Sequence, residues 1–467
     1  MTGRVLWFRR ATAVPGLRWS ALRQTLTALV ALCSASLSDA AVEEHAGMQI
    51  TPPRLAYVQG DVSFWRPGSG DWEAAQVNLP MAPGDALATG DGKLELQVGA
   101  SSFLRAGDAS QVRIKSQEPD FLQVEVTAGR ATVDLRELAR GYVVQIDTPN
   151  SRVLMARDGY YRVDVDGEST RLVVRRAGLA AVTPSGGHAV DVGTGEGLDI
   201  EGGSGGQLTT IVAPAFDAWD RWSYERTDAF LAAPRSASVS ADMYGVEELE
   251  RHGSWRYTSD YGRVWVPAAT PVGWAPYSQG RWLRDPYYGW AWADSAPWGW
   301  APYHYGRWVY AGYWGWAPGP ILVAPVYAPA LVGFYGGGYS VGIGLPYVSW
   351  VALGWGEPLY PWWGGYGFIG NPCWYGWGGP RYYNNPTVIN NTTINNYDRP
   401  DFYRNGKTPG AVVSVPRDRF HNSPVDRVRV AGVESQTLRP IRGALPVSAH
   451  RAAAAEARSG GAHAALA

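Results

Sequence analysis

Glycine and tryptophan return together at a fixed interval in the second half of this 467-residue chain. Gly253-Ser254-Trp255 recurs as Gly280-Arg281-Trp282 and as Gly306-Arg307-Trp308, at offsets of 27 and 26 residues. A second signature, Gly273-Trp274-Ala275-Pro276-Tyr277, recurs as Gly299-Trp300-Ala301-Pro302-Tyr303 and, shortened, as Gly315-Trp316-Ala317-Pro318. Trp265 and Trp292 correspond in the same way. A constant period of this length marks one supersecondary unit copied in tandem. The spacing predicts two short strands per unit, one around each tryptophan signature, with turns at Gly and Pro.

So short a unit cannot assemble a large aliphatic core. Aromatic side chains bury roughly 150–250 Å² each, so a few rings can hold a small stack of hairpins. Glycine lets a backbone pass close to an indole face, and proline blocks unwanted strand pairing. The chain's 23 Trp, 26 Tyr, 57 Gly and 33 Pro suit that economy. Trp255, Trp274, Trp282, Trp300, Trp308 and Trp316 are expected to form the repeat core. Tyr277, Tyr303 and Tyr305 are the candidates for an exposed stacking surface for a sugar face or another polymer. Arg281 and Arg307, each just before a Trp, could stack on rings.

The first half has a different period. From Leu55 onward, apolar and polar residues alternate, as in Leu94-Glu95-Leu96-Gln97-Val98 and Tyr161-Arg162-Val163-Asp164-Val165. Alternation gives strands with one dry and one wet face. Turn residues divide them at Pro83-Gly84-Asp85, Gly90-Asp91-Gly92 and Asp166-Gly167.

This segment resembles the FecR domain. The match runs through Gly60-Asp61-Val62, Trp72, Pro83-Gly84-Asp85 with Leu87, Thr89-Gly90-Asp91, Leu104-Arg105, Gly129-Arg130 and Thr148-Pro149, over about 140 residues. Such domains usually then show a Gly-Thr-x-Phe-like step, where this chain has Asp158-Gly159-Tyr160-Tyr161, and that departure removes support for a signalling role there. FecR proteins of the membrane-spanning kind are anti-sigma regulators with a cytoplasmic N-terminal part. Lacking that part, the chain is expected to carry an exported FecR-type module. The repeat segment in turn resembles unknown-function family 6600. The likeness rests on Tyr244-Gly245-x-Glu247-x-Leu249, the repeats themselves, Pro325 to Val332, Ser349-Trp350-Val351 and Glu357-Pro358-Leu359-Tyr360-Pro361-Trp362. It implies no particular activity.

Around these two regions the composition changes. Arg9, Arg10, Arg18 and Arg23 precede an apolar run from Leu26 to Leu37 and a small-residue Ser38-Asp39-Ala40 step, the pattern of a signal peptide over residues 1–40. Once it is removed, Cys373 is the one remaining cysteine, so neither an intrachain disulfide nor a paired-thiolate metal site is expected. Residues 201–252 read as a linker: Gly202 to Gly206 by composition, then a short amphipathic helix presenting Phe216, Trp219 and Tyr224. Ser204 sits in a chance G-x-S-x-G. Residues 378–467 read as a largely disordered tail, in which Val412 to Pro416 could add a strand anchored by Phe420.

The expected fold class is therefore mainly β. It comprises a FecR-like β-domain at 52–200, a linker with a short helix at 201–252, a repeat domain of short strands at 253–377 and a disordered C-terminal tail. With 41 Lys+Arg against 42 Asp+Glu, a general nucleic-acid binder is disfavoured. The seven His are scattered without metal spacing, and His304 reads as a packed residue. No catalytic residue, cofactor or metal is expected. The functional expectation is an exported, periplasmic or secreted envelope protein with a non-catalytic binding, sensing or structural role. Its partner would be an envelope protein or a cell-wall polysaccharide. A polysaccharide- or peptidoglycan-binding module using exposed Trp and Tyr is the main alternative, and a cell-wall enzyme a more distant one.

Overall fold

The structure is a computed structural model. It describes residues 51–319, 321, 325–336, 346–357, 359, 362, 403–421, 423–433, 438–441, 445 and 447. The expected leader at 1–40 lies outside the described residues, as does most of the tail.

The chain is mainly β. Its first half supplies β1 (Arg54–Trp65), β2 (Glu73–Ala74), β3 (Ala86–Gln97), β4 (Phe103–Ala106), β5 (Gln111–Glu118), β6 (Phe121–Leu135) and β7 (Val143–Asp147). It continues with β8 (Ser151–Met155), β9 (Gly159–Asp166), β10 (Ser169–Arg175), β11 (Leu179–Pro184), β12 (Val190–Gly193), β13 (Glu196–Glu201) and β14 (Gln207–Val212). All fourteen join one hydrogen-bonded sheet system. The long β6 is its spine. The first half of β6 pairs with β5 and, in parallel, with β7; its second half pairs with β4 and β9. The alternation read in the sequence is what the core uses. Leu96, Leu104, Val124, Val133, Ile146, Val163 and Leu172 all point inward and are fully buried.

Two features of the bridge differ from expectation. Gly202 to Gly206 is no linker but the turn of the β13–β14 hairpin: Gly202 and Gly205 take φ of +82° and +80°, and Gly206 N–H donates to Gly203 O. Glycine runs suit tight turns as well as flexible links, and pairing by the flanking strands decides between them. The helix forms as α1 (Ala218–Ala232), capped by the Asp217 carboxylate. Its docking face includes two of the expected rings, Trp219, which is buried, and Tyr224, half-buried with its ring 4.8 Å from Tyr160. Trp219, Asp220, Ser223 and Thr227 are buried, while Phe216 is exposed. The sheet surface beneath it is polar. Tyr160 Oη donates to Asp220 at 2.8 Å, Thr227 Oγ1 to Asp134 at 2.7 Å, and Arg226 grips Glu95 with two bonds.

The second half begins with α2 (Leu249–His252) and builds small sheets. β15 (Gly253–Thr258), β16 (Gly262–Pro267), β19 (Arg307–Tyr310) and β20 (Trp314–Ala317) form one, in the order β15-β16-β20-β19. β17 (Gly280–Asp285) and β18 (Gly289–Asp294) form a hairpin. β21 (Val332–Gly336) and β22 (Tyr347–Ala352) are joined from the tail by β23 (Val413–Pro416) and β24 (Arg439–Pro440). The tail strand read in the sequence is thus present. Phe420 is fully buried and stacks on Trp282, with centroids 5.4 Å apart.

Candidate functional site

The repeat signatures are cross-strand pairs. Trp255 stands opposite Trp265, Trp265 opposite Trp316, and Trp316 opposite Trp308, a row of four across one sheet. Trp282 faces Trp292 in the hairpin, and Phe334 faces Trp350 in the third sheet. Trp265, Trp282, Trp292, Trp300, Trp308, Trp316 and Trp350 are fully buried; Trp255 and Trp274 are half-buried.

The glycine of each G-x-W step has a steric cause. A Cβ on Gly253 would lie 2.4 Å from the Trp265 indole, one on Gly280 2.7 Å from Trp292, and one on Gly306 2.7 Å from Trp316. In all three copies the partner strand's indole lies over the glycine of the opening strand.

The three tyrosines expected at the surface are in the core instead. Tyr277 and Tyr303 are 0% exposed and Tyr305 is 1%. Burial is tolerated where the hydroxyl finds partners. Tyr277 Oη donates to Tyr303 O at 2.6 Å and accepts from Leu331 N–H at 2.8 Å, and its ring meets Tyr303 edge-on at 4.7 Å. Tyr305 Oη is 3.3 Å from Thr51 Oγ1, and burial pushes it up to about 12. These residues are not available to stack on a ligand.

Asp294, His304 and Arg307 are enclosed with them. Burial pushes Asp294 up to about 7, against bonds from Ala296 N–H and Trp292 Nε1. His304 is held down at about 3, packed against Trp300 and Tyr327 with its Nδ1 at 2.7 Å from Ala328 O. Arg307 points at the backbone, donating twice to Glu357 O and once to Gly306 O.

Both halves meet through polar contacts that run from buried to exposed. Arg54 reaches Glu247 at 2.8 Å, and Arg66 donates to Arg284 O at 2.6 Å. Asn78 Nδ2 donates to Ala296 O at 2.7 Å, and Arg281 pairs with Glu73. Leu283 and Ala293 of the hairpin join the hydrophobic core of the first sheet.

An open concavity lies elsewhere. A groove of roughly 470 Å³ crosses the outer faces of β6, β9, β10 and β13. Arg130, Arg162 and Arg171 line it, with Asp108, Asp164, Asp166, Asp199 and Glu201. Arg130 and Arg162 both pair with Asp164, and Arg171 pairs with Asp199. Asp108, Asp166 and Glu201 make no ion pair among the described residues. Sequence reading registered these positions only as the wet side of strands. Nothing in one sequence says that four such strands converge. Among the described residues, no group of three His, Cys, Asp or Glu is placed to hold a metal, and no helix is long and apolar enough to cross a membrane.

Comparison with known proteins places the repeat segment first. Residues 246–357 match a family of unknown function, DUF6600. Two crystal structures of a protein provisionally named an anti-sigma factor, from Parabacteroides distasonis ATCC 8503, are similar in part, at 12% and 11% identity. Each similarity covers 39% of this chain and 97% or 98% of the other, with TM-scores of 0.24 and 0.25. No curated protein matches.

Proposed function

We propose that the chain is an exported bacterial envelope protein whose role is non-catalytic binding. In this reading a FecR-type β-domain presents the groove and the aromatic repeats brace it. One contrast carries the proposal: the signature tryptophans and Tyr277, Tyr303, Tyr305, Asp294 and His304 of the repeats are taken up in packing, whereas the β-domain groove is open and holds three carboxylates without an ion pair among the described residues. Such a surface suits an envelope protein presenting Lys or Arg, since complementary charge guides and orients association. The test is capture from envelope extract, alongside peptidoglycan and cell-wall polysaccharide, with a doubly charge-reversed Asp166→Lys, Glu201→Lys chain as comparison. Retention of one partner by the wild type and its loss in the variant supports the reading. Equal retention by both removes the groove from it. N-terminal sequencing of the periplasmic form tests export.

A sugar-binding reading is favoured by one observation, at a different place from that expected. At the tip of the β19–β20 hairpin, Tyr310 is 44% exposed and stands 5.2 Å from Trp314. Saturable polysaccharide binding that is lost in Tyr310→Ala would move the function there.

A further inference from the structure

Strand β14 ends its branch of the first sheet. It pairs with β13 alone, in unbroken register from Glu196–Val212 to Glu201–Gln207. Edge strands are normally protected by charge, proline, a bulge or extreme shortness, because their free N–H and C=O groups are a template for another strand. The ends of the main strand path follow that rule: β2 has two residues, and β12 has four and carries Asp191. β14, Gln207-Leu208-Thr209-Thr210-Ile211-Val212, has none of these protections.

Which groups face outward can be read from one bond. Ala213 N–H donates to Gly195 O at 2.9 Å, so the odd-numbered residues turn their backbone toward β13. The N–H and C=O of Leu208, Thr210 and Val212 therefore point to the free edge. The side chains of these residues share a face, that of Leu198 and Ile200 on β13. Leu208 is 40% exposed and Val212 85%.

We propose that this edge is a homodimer interface, in which β14 pairs antiparallel with β14 of a second copy about a two-fold axis at Thr210. Register and chemistry select a copy as the occupant. For two sheets to join with their faces continuous, paired positions must have the same parity. Centring on Thr210 sets Leu208 opposite Val212 of the copy, twice, so the two exposed apolar side chains of each chain cover one another. Thr210 meets its own counterpart, Thr209 meets Ile211, and no like charges stand opposite. The outward-facing groups then form about six new backbone hydrogen bonds. The contact is isologous and closes at two chains.

The experiment uses the full chain with Cys33→Ser and Cys373→Ser. Thr209→Cys and Ile211→Cys chains are prepared separately, then oxidised alone and mixed. The expected result is a disulfide-linked dimer in the mixture and in neither chain alone. In parallel, sedimentation velocity across a concentration series should show a wild-type dimer, weakened at least about tenfold by Thr210→Lys, which sets two ammonium groups face to face. Thr210 is exposed, so an unchanged circular dichroism spectrum is expected of that variant. A monomer at all concentrations, equal dimerisation of Thr210→Lys, or cross-linking of Thr209→Cys alone would each overturn the proposal.

Discussion

Arg54 and Glu247 face each other 2.8 Å apart, both almost wholly buried, and join the first strand of the β-domain to the turn that precedes the repeats. The guanidinium also donates to Asn78 Oδ1 at 3.0 Å and, at 3.4 Å each, to Gln97 Oε1 and Pro297 O. Gly245, two residues before Glu247, takes φ +77°, and a Cβ there would come within 2.8 Å of Trp300. The Gly-x-Glu step is thus fitted between Arg54 of one half and the Cβ of Trp300 in the other.

Removing one partner of a buried ion pair leaves the other charge without compensation and costs about 3–5 kcal/mol. Arg54→Ala is expected to destabilise the chain on that scale in urea unfolding. Replacing both partners, as Arg54→Met with Glu247→Leu, is expected to cost less than Arg54→Ala alone. The opposite order would show that the pair stabilises beyond the desolvation it incurs.

The glycine that opens each repeat gives a second expectation. Gly280 has φ +151° and its Cβ position lies 2.4 Å from Ala293 O and 2.7 Å from the Trp292 ring. Gly280→Ala should cost at least the 1–3 kcal/mol typical of overpacking. Gly312, at a hairpin tip with φ +79° and nothing near its Cβ position, supplies the comparison. Gly312→Ala carries only the backbone term of about 1 kcal/mol. Thermal unfolding of the two variants should separate them, and equal melting temperatures would remove the indole contact as the reason for the glycine.

Much of this arrangement was legible in the sequence, because it is local. Trp282 and Trp292 are ten residues apart and pair through one hairpin, so a repeated spacing encodes a repeated contact. The β-domain strands were legible for the same reason, since alternation with period two is a property of each strand by itself. The tyrosines were not. Tyr277 is buried because Tyr303 O and Leu331 N–H satisfy its hydroxyl, and those groups lie 26 and 54 residues away. The docking face of α1 was legible only in part: Trp219 and Tyr224 meet the sheet, but the buried polar contacts of Asp220 and Thr227 depend on Tyr160 and Asp134, which no helical wheel contains. The groove assembles from β6, β9, β10 and β13, a convergence fixed by topology rather than by any one segment.

Asp294 makes stability depend on pH. Its carboxyl is enclosed between Trp292 Nε1 and Ala296 N–H, and burial moves it from an ordinary 3.8 to about 7. The folded chain therefore holds this proton more tightly than the unfolded chain does. The corresponding stability is fully present below about pH 4, falls as pH rises toward 7, and is gone above that. A displacement of this size corresponds to about 4 kcal/mol between the two limits. Asp294→Asn cannot ionise; its single amide oxygen keeps one of the two N–H bonds and loses the other, a cost that does not vary with pH. The difference in unfolding free energy between wild type and Asp294→Asn, measured from pH 4 to 8, isolates this group from the other carboxylates. Wild type should lose ground to the variant as pH rises to 7, after which the difference should stay constant. Parallel curves across the whole range would mean that Asp294 is ionised in the fold throughout, with the two N–H donors offsetting its burial.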